Sequence, residues 1–407
     1  MEINLLTTSD QLTMAEWIFW TALALVFYTY VGYGMLLGFL VRMKKKFFPE
    51  KIFHFEEEEL PSVTFIVAAY NEEAYIQEKI DNCLSLEYPQ EKISYWFVTD
   101  GSNDGTMSII ESNPEVRLLH REERAGKIAA MHRAMGEVES DIAIFSDANA
   151  LLNPEAVMEM VQCYANPQVG AVAGEKGIAM DAEEKASGAG EGIYWKYESQ
   201  LKKWDYQLYS VVGAAGELFS VRTSLYEGVE PDTLLDDFMI SLRIAQKGYR
   251  VAYAPNAKAT EKASLNVEEE MKRKIRISAG GLQSISRLIP LLNIFKHGWL
   301  SFQYISHRVL RWTLAPLALP FIFISNGYLA VQSEEWIYSL LLLGQLGFYF
   351  LAFLGMILQD KKVRIKGFFV PYYFAMMNWS VYLGLIRLLK GRQSVKWEKA
   401  VRATTTS

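Results

Sequence analysis

The sequence runs to 407 residues with 41 basic and 47 acidic side chains, a formal net charge of -6. That length exceeds one ordinary domain and predicts two structural units. The acidic balance excludes a general nucleic-acid binder, whose footprint would be basic, so no nucleic-acid partner is expected. Cys83 and Cys163 form no CxxC pair or metal-ligand pattern and read as small core residues in a reducing compartment.

The first element is apolar. From Trp17 to Leu40 there is no charged side chain, about the length needed to cross a bilayer. The basic cluster Arg42, Lys44, Lys45 and Lys46 follows it, whereas a secretory signal would begin basic and carry a shorter apolar stretch. By the positive-inside rule the N-terminus lies outside and the chain from Lys44 onward in the cytosol. Glu56–Glu59 reads as a solvated linker ahead of Pro61.

Beyond Pro61, strand and helix patterns alternate. Val63–Ala69, Ile93–Thr99, Val116–His120 and Ile142–Ser146 are short β-rich apolar runs. Between or after them, Ile76, Ile80, Cys83 and Leu84 recur at helical spacing, as do Ile128, Met131, Met135 and Val138, then Val157, Met160, Val161 and Tyr164. This order predicts an α/β domain with a Rossmann-like, mostly parallel sheet. In such sheets the ligand crevice lies beyond the carboxyl ends of the strands. Tyr70-Asn71-Glu72, Asp100-Gly101-Ser102-Asn103-Asp104 and Asp147-Ala148-Asn149 all fall there.

Each polar cluster has a plain structural reading beside a functional one. Asp100–Thr106 is a good turn into a capped helix, and a carboxylate there can also accept from a base or ribose. Asp147 and Asn149, two residues apart on an extended edge, form a turn or else face a divalent cation that bridges a diphosphate. Asp236-Asp237 opens a helical pattern where acids favour the helix dipole, and a carboxylate pair beside a crevice can also supply a general base. Arg273-Lys274-Ile275-Arg276 suits lipid headgroups or a diphosphate clamp.

Gly280–Trp299 mixes Gln283, Arg287, Lys296 and His297 with apolar residues, as an interfacial helix does. His297 and His307 read as interface packing or hydration rather than metal ligands. Asp181–Gly192, small and acidic, is a mobile acceptor loop or a plain surface loop. Two further spans are expected near Leu314–Val331 and Trp336–Leu358, with an acidic outer connector and a basic return at 360–366. Phe368–Leu389 carries Pro371, Asn378 and Arg387, and crossing would leave the basic tail outside. A re-entrant or interfacial segment is therefore expected there.

Taken together, the motifs over Pro61–Arg287 resemble family 2 glycosyltransferases of the GT-A fold, whose membrane-integrated members include cellulose and hyaluronan synthases and ceramide glucosyltransferases. Val67-Ala68-Ala69-Tyr70-Asn71-Glu72-Glu73 resembles the opening strand and nucleotide-binding turn, which implicates Ala69, Tyr70 and Glu72. Asp100 resembles the first aspartate motif, Arg124-Ala125-Gly126-Lys127 the Gly-Lys segment, and Asp147-Ala148-Asn149 the DxD metal motif. Gly213-Ala214-Ala215-Gly216, with Glu217 following, resembles the acceptor-side segment. Asp236-Asp237 stands at the ED position, whose second acid is the family's base, and Arg273, Arg276 and Gln283 align with the (Q/R)xxRW region.

Two departures stand out. Asn149 replaces an acid, which implies weaker or water-mediated metal binding. Ile277 replaces a tryptophan that lines the acceptor site in membrane-integrated synthases, which argues against long-chain polymerisation.

The resemblance implies an inverting, Mg2+- or Mn2+-dependent transfer from a UDP-sugar to a lipid-linked or glycan acceptor, in contact with membrane lipids. Asp237 would be the base beside Asp236. Asp100, Lys127, Asp147, Arg273 and Arg276 would bind the donor, with Asp147 and Asn149 on the metal and Gly216, Glu217 and Gln283 on the acceptor side. The expected division is a transmembrane helix within 1–45, a cytosolic catalytic domain over 46–280, interfacial helices over 281–310 and a membrane-embedded part with a basic tail over 311–407. The setting is a cell membrane, multi-pass, in surface polysaccharide or glycolipid synthesis. A processive synthase and a non-catalytic nucleotide-sugar-binding membrane protein are the alternatives; a transporter fits badly, because the late spans carry few charges.

Overall fold

The structure is a computed structural model and describes residues 8–48, 51, 53–179, 189–262, 267–359 and 366–391. The chain enters the α/β half through β1 (Val63–Ala69), whose seven residues are all buried. A continuous apolar run of this kind suits a strand covered on both faces. β1 pairs in parallel with β2 (Ile93–Asp100) on one side and β4 (Ile142–Asp147) on the other. β3 (Val116–Arg121) extends the parallel set outside β2. Helices α3 (Ile76–Leu84), α4 (Thr106–Glu111) and α5 (Lys127–Met135) connect these strands. The chain thus builds outward from β1 and then returns to its other side, which makes the β1/β4 junction a topological switch point.

Alternation along β1 divides the core between two layers. Phe65 and Val67 pack with Ile76, Ile80 and Val157, while Ile66 packs with Met131, Phe145, Phe219 and Phe238. The Phe145 and Phe219 rings stack with centroids 4.8 Å apart. Each such fully buried side chain contributes about 1.5–3 kcal/mol of apolar transfer.

The second half of the sheet is mixed. β7 (Leu218–Arg222) runs antiparallel to β4, and β6 (Val169–Ala179) antiparallel to β7. β8 (Arg250–Lys262) is parallel to β6, with the register slipping between Ala173 and Glu175, and the short β5 (Leu151–Leu152) closes the edge. The order is β3-β2-β1-β4-β7-β6-β8-β5. Insertion of β7 between β4 and β6 carries Gly216 and Glu217 to the switch point, a long-range pairing that local pattern does not announce. Helix α6 (Ala156–Gln162), α7 (Ala189–Leu208), α8 (Asp236–Gln246) and α9 (Val267–Arg287) complete the domain.

Among the described residues, three helical stretches are long and apolar enough to cross a membrane: Ser9–Phe47, Leu314–Gln332 and Trp336–Leu358. The first is longer than the charge-free run suggests. It is built from α1 (Thr8–Phe27) and α2 (Tyr33–Phe47) through a π-helical turn at Tyr28–Gly32. After the short α10 (Trp299–Tyr304), α11 (Leu314–Gln332), α12 (Trp336–Gln359) and α13 (Lys366–Leu389) form the C-terminal bundle.

Where a re-entrant or interfacial segment is expected, α13 is a single unbroken helix of 24 residues, and among the described residues it is not one of the helices long and apolar enough to cross a membrane. Pro371 lies in its second turn, where the missing N–H forgoes one bond to the Gly367 carbonyl without breaking the helix. Asn378 accepts from the Tyr30 hydroxyl at 2.7 Å and donates to the Phe374 carbonyl, so its polar group is satisfied by protein. The connector at 360–365, the tail from 392 and most of the proposed loop at 181–192 lie outside the described residues.

The stretch Gly280–Trp299 is likewise not one helix. α9 runs on to Arg287, a 3-10 turn covers Ile289–Leu292, and Asn293 caps a short helix over Ile294–His297. Position 280, where the catalytic and interfacial segments were divided, falls inside α9. His307 is fully buried and bonded on both ring nitrogens to carboxylates, at 2.6 Å to Asp205 and 3.0 Å to Glu198.

Candidate active site

The turns after β1 and β2 are stitched together. Asn71 adopts φ 54°, the left-handed region, which Asn tolerates because its short amide bonds locally. Its Oδ1 accepts from the Asn103 N–H at 2.9 Å, and its Nδ2 donates to Asn103 Oδ1 at 2.8 Å. The Glu72 N–H donates to Thr106 Oγ1 at 2.9 Å, while Asp104 caps Thr106. The acceptor-rich segment is therefore a capped turn, as its composition implies. Asp100 does something different.

Asp100 is 4 % exposed, and its Oδ2 accepts from the Ala125 N–H at 2.9 Å and the Gly126 N–H at 2.5 Å. Its Oδ1 is buried without a hydrogen-bond partner. An unpaired buried acceptor costs roughly 1–3 kcal/mol, a cost that a ligand N–H or O–H would remove. The Arg124 guanidinium stacks on the Tyr70 ring, 3.8 Å from its centre. Thus Ala69–Glu72, Asp100 and Arg124–Lys127 form one rim of the crevice.

Lys127 begins α5 and crosses to the other rim. Its Nζ donates to Asp147 Oδ1 at 2.7 Å and lies 3.9 Å from Asp236 Oδ2. Burial disfavours the charge, but the carboxylates of Asp147, Asp236 and Asp237 outweigh it and hold the ammonium above the usual lysine range. Asp237 lies one residue along α8, against the backbone of Gly216: a methyl placed on Gly216 would sit 3.6 Å from the Asp237 carboxyl carbon. Burial and then the neighbouring Asp236 push Asp237 up to about 8, Glu217 adds to this, and Lys127 opposes it. Ile66, Ala68, Lys127, Met131, Phe145, Ser146 and Gly216 line a small cavity at this point.

Asp147 and Asn149 are both partly exposed and flank the buried Ala148. The Asn149 Nδ2 atom is buried without a partner. Among the described residues, no three His, Cys, Asp or Glu side chains gather to hold a cation alone. Mg2+ and similar ions that take ligands from diphosphate and water need only one or two carboxylates from protein, so this donor set fits such an ion.

Glu217 is held by a charged network that the sequence does not reveal. Lys176 pairs with Glu217 and, at 2.8 Å, with Glu261. Despite burial, Lys176 and then Arg273 keep Glu217 well below the usual carboxylate range. Arg273 binds Glu270 in a two-pronged pair at 3.0 Å on each bond, while Arg276 is exposed.

Gln283 and Arg287 turn toward the loop ahead of α8 rather than to a membrane surface. Gln283 accepts from the Leu234 N–H at 3.1 Å and donates to the Asp232 carbonyl at 2.9 Å. Arg287 binds both Asp232 carboxylate oxygens at 2.7 Å. Helix α9 thereby fixes the approach to Asp236 and Asp237. Lys79, Ser146 and Lys176 escaped the sequence reading. The one signal was that Lys79 lies on the apolar stripe of α3, between Ile76 and Ile80.

The sheet order, with a switch point edged by acids, is that of the GT-A fold. Residues 64–228 match the profile described as Glycosyl transferase family 2. A beta-monoglucosyldiacylglycerol synthase from Synechocystis sp. is 28% identical over 236 residues, covering 55% of this chain and 48% of the synthase. A poly-beta-1,6-N-acetyl-D-glucosamine synthase from Staphylococcus epidermidis is 24% identical over 264 residues, covering 62% of each. The match thus spans about half to three-fifths of these relatives' lengths. Among solved structures, the mannosyltransferase PcManGT from Pyrobaculum calidifontis, in complex with GDP-Man and Mn2+, superposes with a TM-score of 0.67. It is 22% identical, and the alignment covers 92% of this chain and 99% of that one. That likeness establishes the fold.

Proposed function

We propose that this protein is an inverting glycosyltransferase that moves a sugar from a nucleoside diphosphate donor to a lipid-linked or glycan acceptor at the cytosolic face of a membrane. The observation that carries the reading is the Lys127 ammonium set between Asp147 and Asp236, with Asp237 beside Gly216. The two relatives named for making a glycolipid and a polysaccharide support the choice of acceptor class. The basic last turn of α2, at Lys44, Lys45 and Lys46, supports the cytosolic orientation. UDP is the nucleotide assigned by resemblance; the solved relative was captured with GDP-Man, so both belong in the test.

In the proposed reaction Asp237 accepts the proton of an acceptor hydroxyl as that oxygen bonds to the anomeric carbon. The bond from that carbon to the diphosphate oxygen breaks, and configuration inverts in one displacement. Ionised Asp237 is a stronger base than a solvated carboxylate because burial and Asp236 disfavour its charge. Lys127 holds positive charge where the leaving diphosphate gathers negative charge. Asp100, through its unpaired Oδ1, and the Tyr70–Arg124 stack hold the nucleoside. Asp147 and Asn149 would hold a Mg2+ or Mn2+ ion, which supplies charge neutralisation on the diphosphate. With Ile277 in place of an aromatic acceptor platform, addition of one or few sugars is favoured over long-chain synthesis.

The test is donor hydrolysis by the detergent-purified protein, with UDP- and GDP-sugars screened in Mn2+, Mg2+ or EDTA and binding measured in parallel. Metal-dependent release of nucleoside diphosphate from one donor is the expected result. No hydrolysis together with no nucleotide-sugar binding would overturn the reading.

A further inference from the structure

Lys79 is fully buried. It projects from the apolar face of α3, where Ile76, Ile80 and Cys83 are its buried neighbours, and reaches the carboxyl end of β4. There its Nζ donates to Ser146 Oγ at 2.9 Å and to the Ala150 carbonyl at 2.5 Å, with the Phe65 ring centre 5.4 Å away. Among the described residues, no carboxylate lies within ion-pair distance of it. Burial lowers its proton affinity, with Cys83 and Asp147 working the other way. A lysine held at such cost in an apolar layer is an expensive way to fill space, so its bonds are the reason to look for a role.

Those bonds frame the site. Ser146 and Ala150 bracket Asp147, Ala148 and Asn149, so one ammonium clasps both ends of the proposed cation-binding turn. The turn is also closed from inside by the Ala150 N–H, which donates to the Asp147 carbonyl at 3.2 Å. Because Ser146 Oγ accepts from Lys79, its own proton is left to donate, and it is shared between the Glu217 carbonyl at 3.2 Å and the Asp147 carbonyl at 3.3 Å. Glu217 follows Gly216, the residue against which Asp237 rests. A short chain of hydrogen bonds thus joins α3, the donor-side turn and the acceptor-side strand.

We infer that Lys79 is a positioning residue: through Ser146 and Ala150 it sets the spacing between the Asp147–Asn149 turn and the Gly216–Glu217 segment. It touches neither substrate, and the functional consequence rests on the transferase reading above. Without the clasp, the cation-binding turn loosens. Without Ser146 alone, the turn stays held at Ala150 while its tie to Glu217 is lost.

The experiment compares full-length Lys79→Met and Ser146→Ala with the parent in detergent, by hydrogen exchange and by donor hydrolysis across a Mn2+ titration. Lys79→Met is expected to speed amide exchange over residues 148–150 about tenfold or more. It should also raise the Mn2+ concentration for half-maximal hydrolysis by a similar factor, since a poorly held ligand group costs metal sites about 10–100-fold. Ser146→Ala is expected to lower kcat with donor KM and Mn2+ response near those of the parent, and to speed exchange over 217–218. Parental exchange over 148–150 in a folded Lys79→Met protein would overturn the inference. Parental exchange and kcat in Ser146→Ala would overturn it as well, and that variant decides the question if Lys79→Met does not fold. If the parent itself hydrolyses no donor, the transferase reading fails, while the exchange comparison still decides whether Lys79 positions the turn.

Discussion

Replacing Asp237 with asparagine tests the site in two opposite directions at once. As the proposed base, Asp237 should be worth about 10²–10⁴-fold in rate, so Asp237→Asn should lose transfer while keeping donor binding. Stability should move the other way. The folded-state value of about 8 exceeds the unfolded carboxylate's ~3.9, so between those limits the folded protein binds more protons than the unfolded chain. Its stability therefore falls as pH rises through that window and levels off above about 8. Each unit is worth about 1.4 kcal/mol. From pH 5.5 to 8 the expected loss is therefore up to about 3 kcal/mol, a ceiling because the side chain is only partly buried. Asparagine cannot ionise and escapes this loss. The melting temperature of Asp237→Asn, measured in detergent without donor or metal, should gain on the parent by several degrees across that interval. A difference that stays constant with pH, or shrinks, would refute the assigned environment. Full activity in Asp237→Asn would refute the assigned role.

Three other substitutions probe separate parts of the site. Asn149→Asp restores a second carboxylate and should lower the Mn2+ concentration for half-maximal hydrolysis on the order of tenfold, read from a metal titration. Gln283→Ala leaves the Leu234 N–H unpaired in a partly buried loop, costing at most about 1–3 kcal/mol; kcat should fall more than donor KM rises, because the loop leads to Asp237. Gly213→Ala should be among the most destabilising changes available. Gly213 has φ 97°, and an added methyl would come within 2.1 Å of Phe238. A loss of roughly 2–4 kcal/mol is expected, measured by thermal unfolding.

Much of the architecture was legible in local pattern. The first four strands follow from short apolar runs bounded by polar turns, and the three strand-end clusters at Tyr70, Asp100 and Asp147 follow from where those runs stop. The apolar stretches at 17–40, 314–331 and 336–358 were legible because crossing a bilayer demands length and lack of charge, both properties of composition. The partner of Asn378 in α13 was not legible, for the complementary reason. Asn378 looks unsuited to an apolar helix until Tyr30, from the far end of the chain, is seen to satisfy it.

The sequence by itself determined the first four strands, the turns that follow them and the set of acids and lysines available to the crevice. Tertiary structure alone decided which of them work together. It placed β7 antiparallel between β4 and β6, and so brought Glu217 to the crevice. It turned Gln283 and Arg287 onto the loop before Asp236, and it buried Lys79 beneath the Asp147–Asn149 turn. These are contacts between residues many tens of positions apart. Hydrophobic periodicity carries no information about such partners, because it specifies which face of an element is buried and leaves open what that face meets.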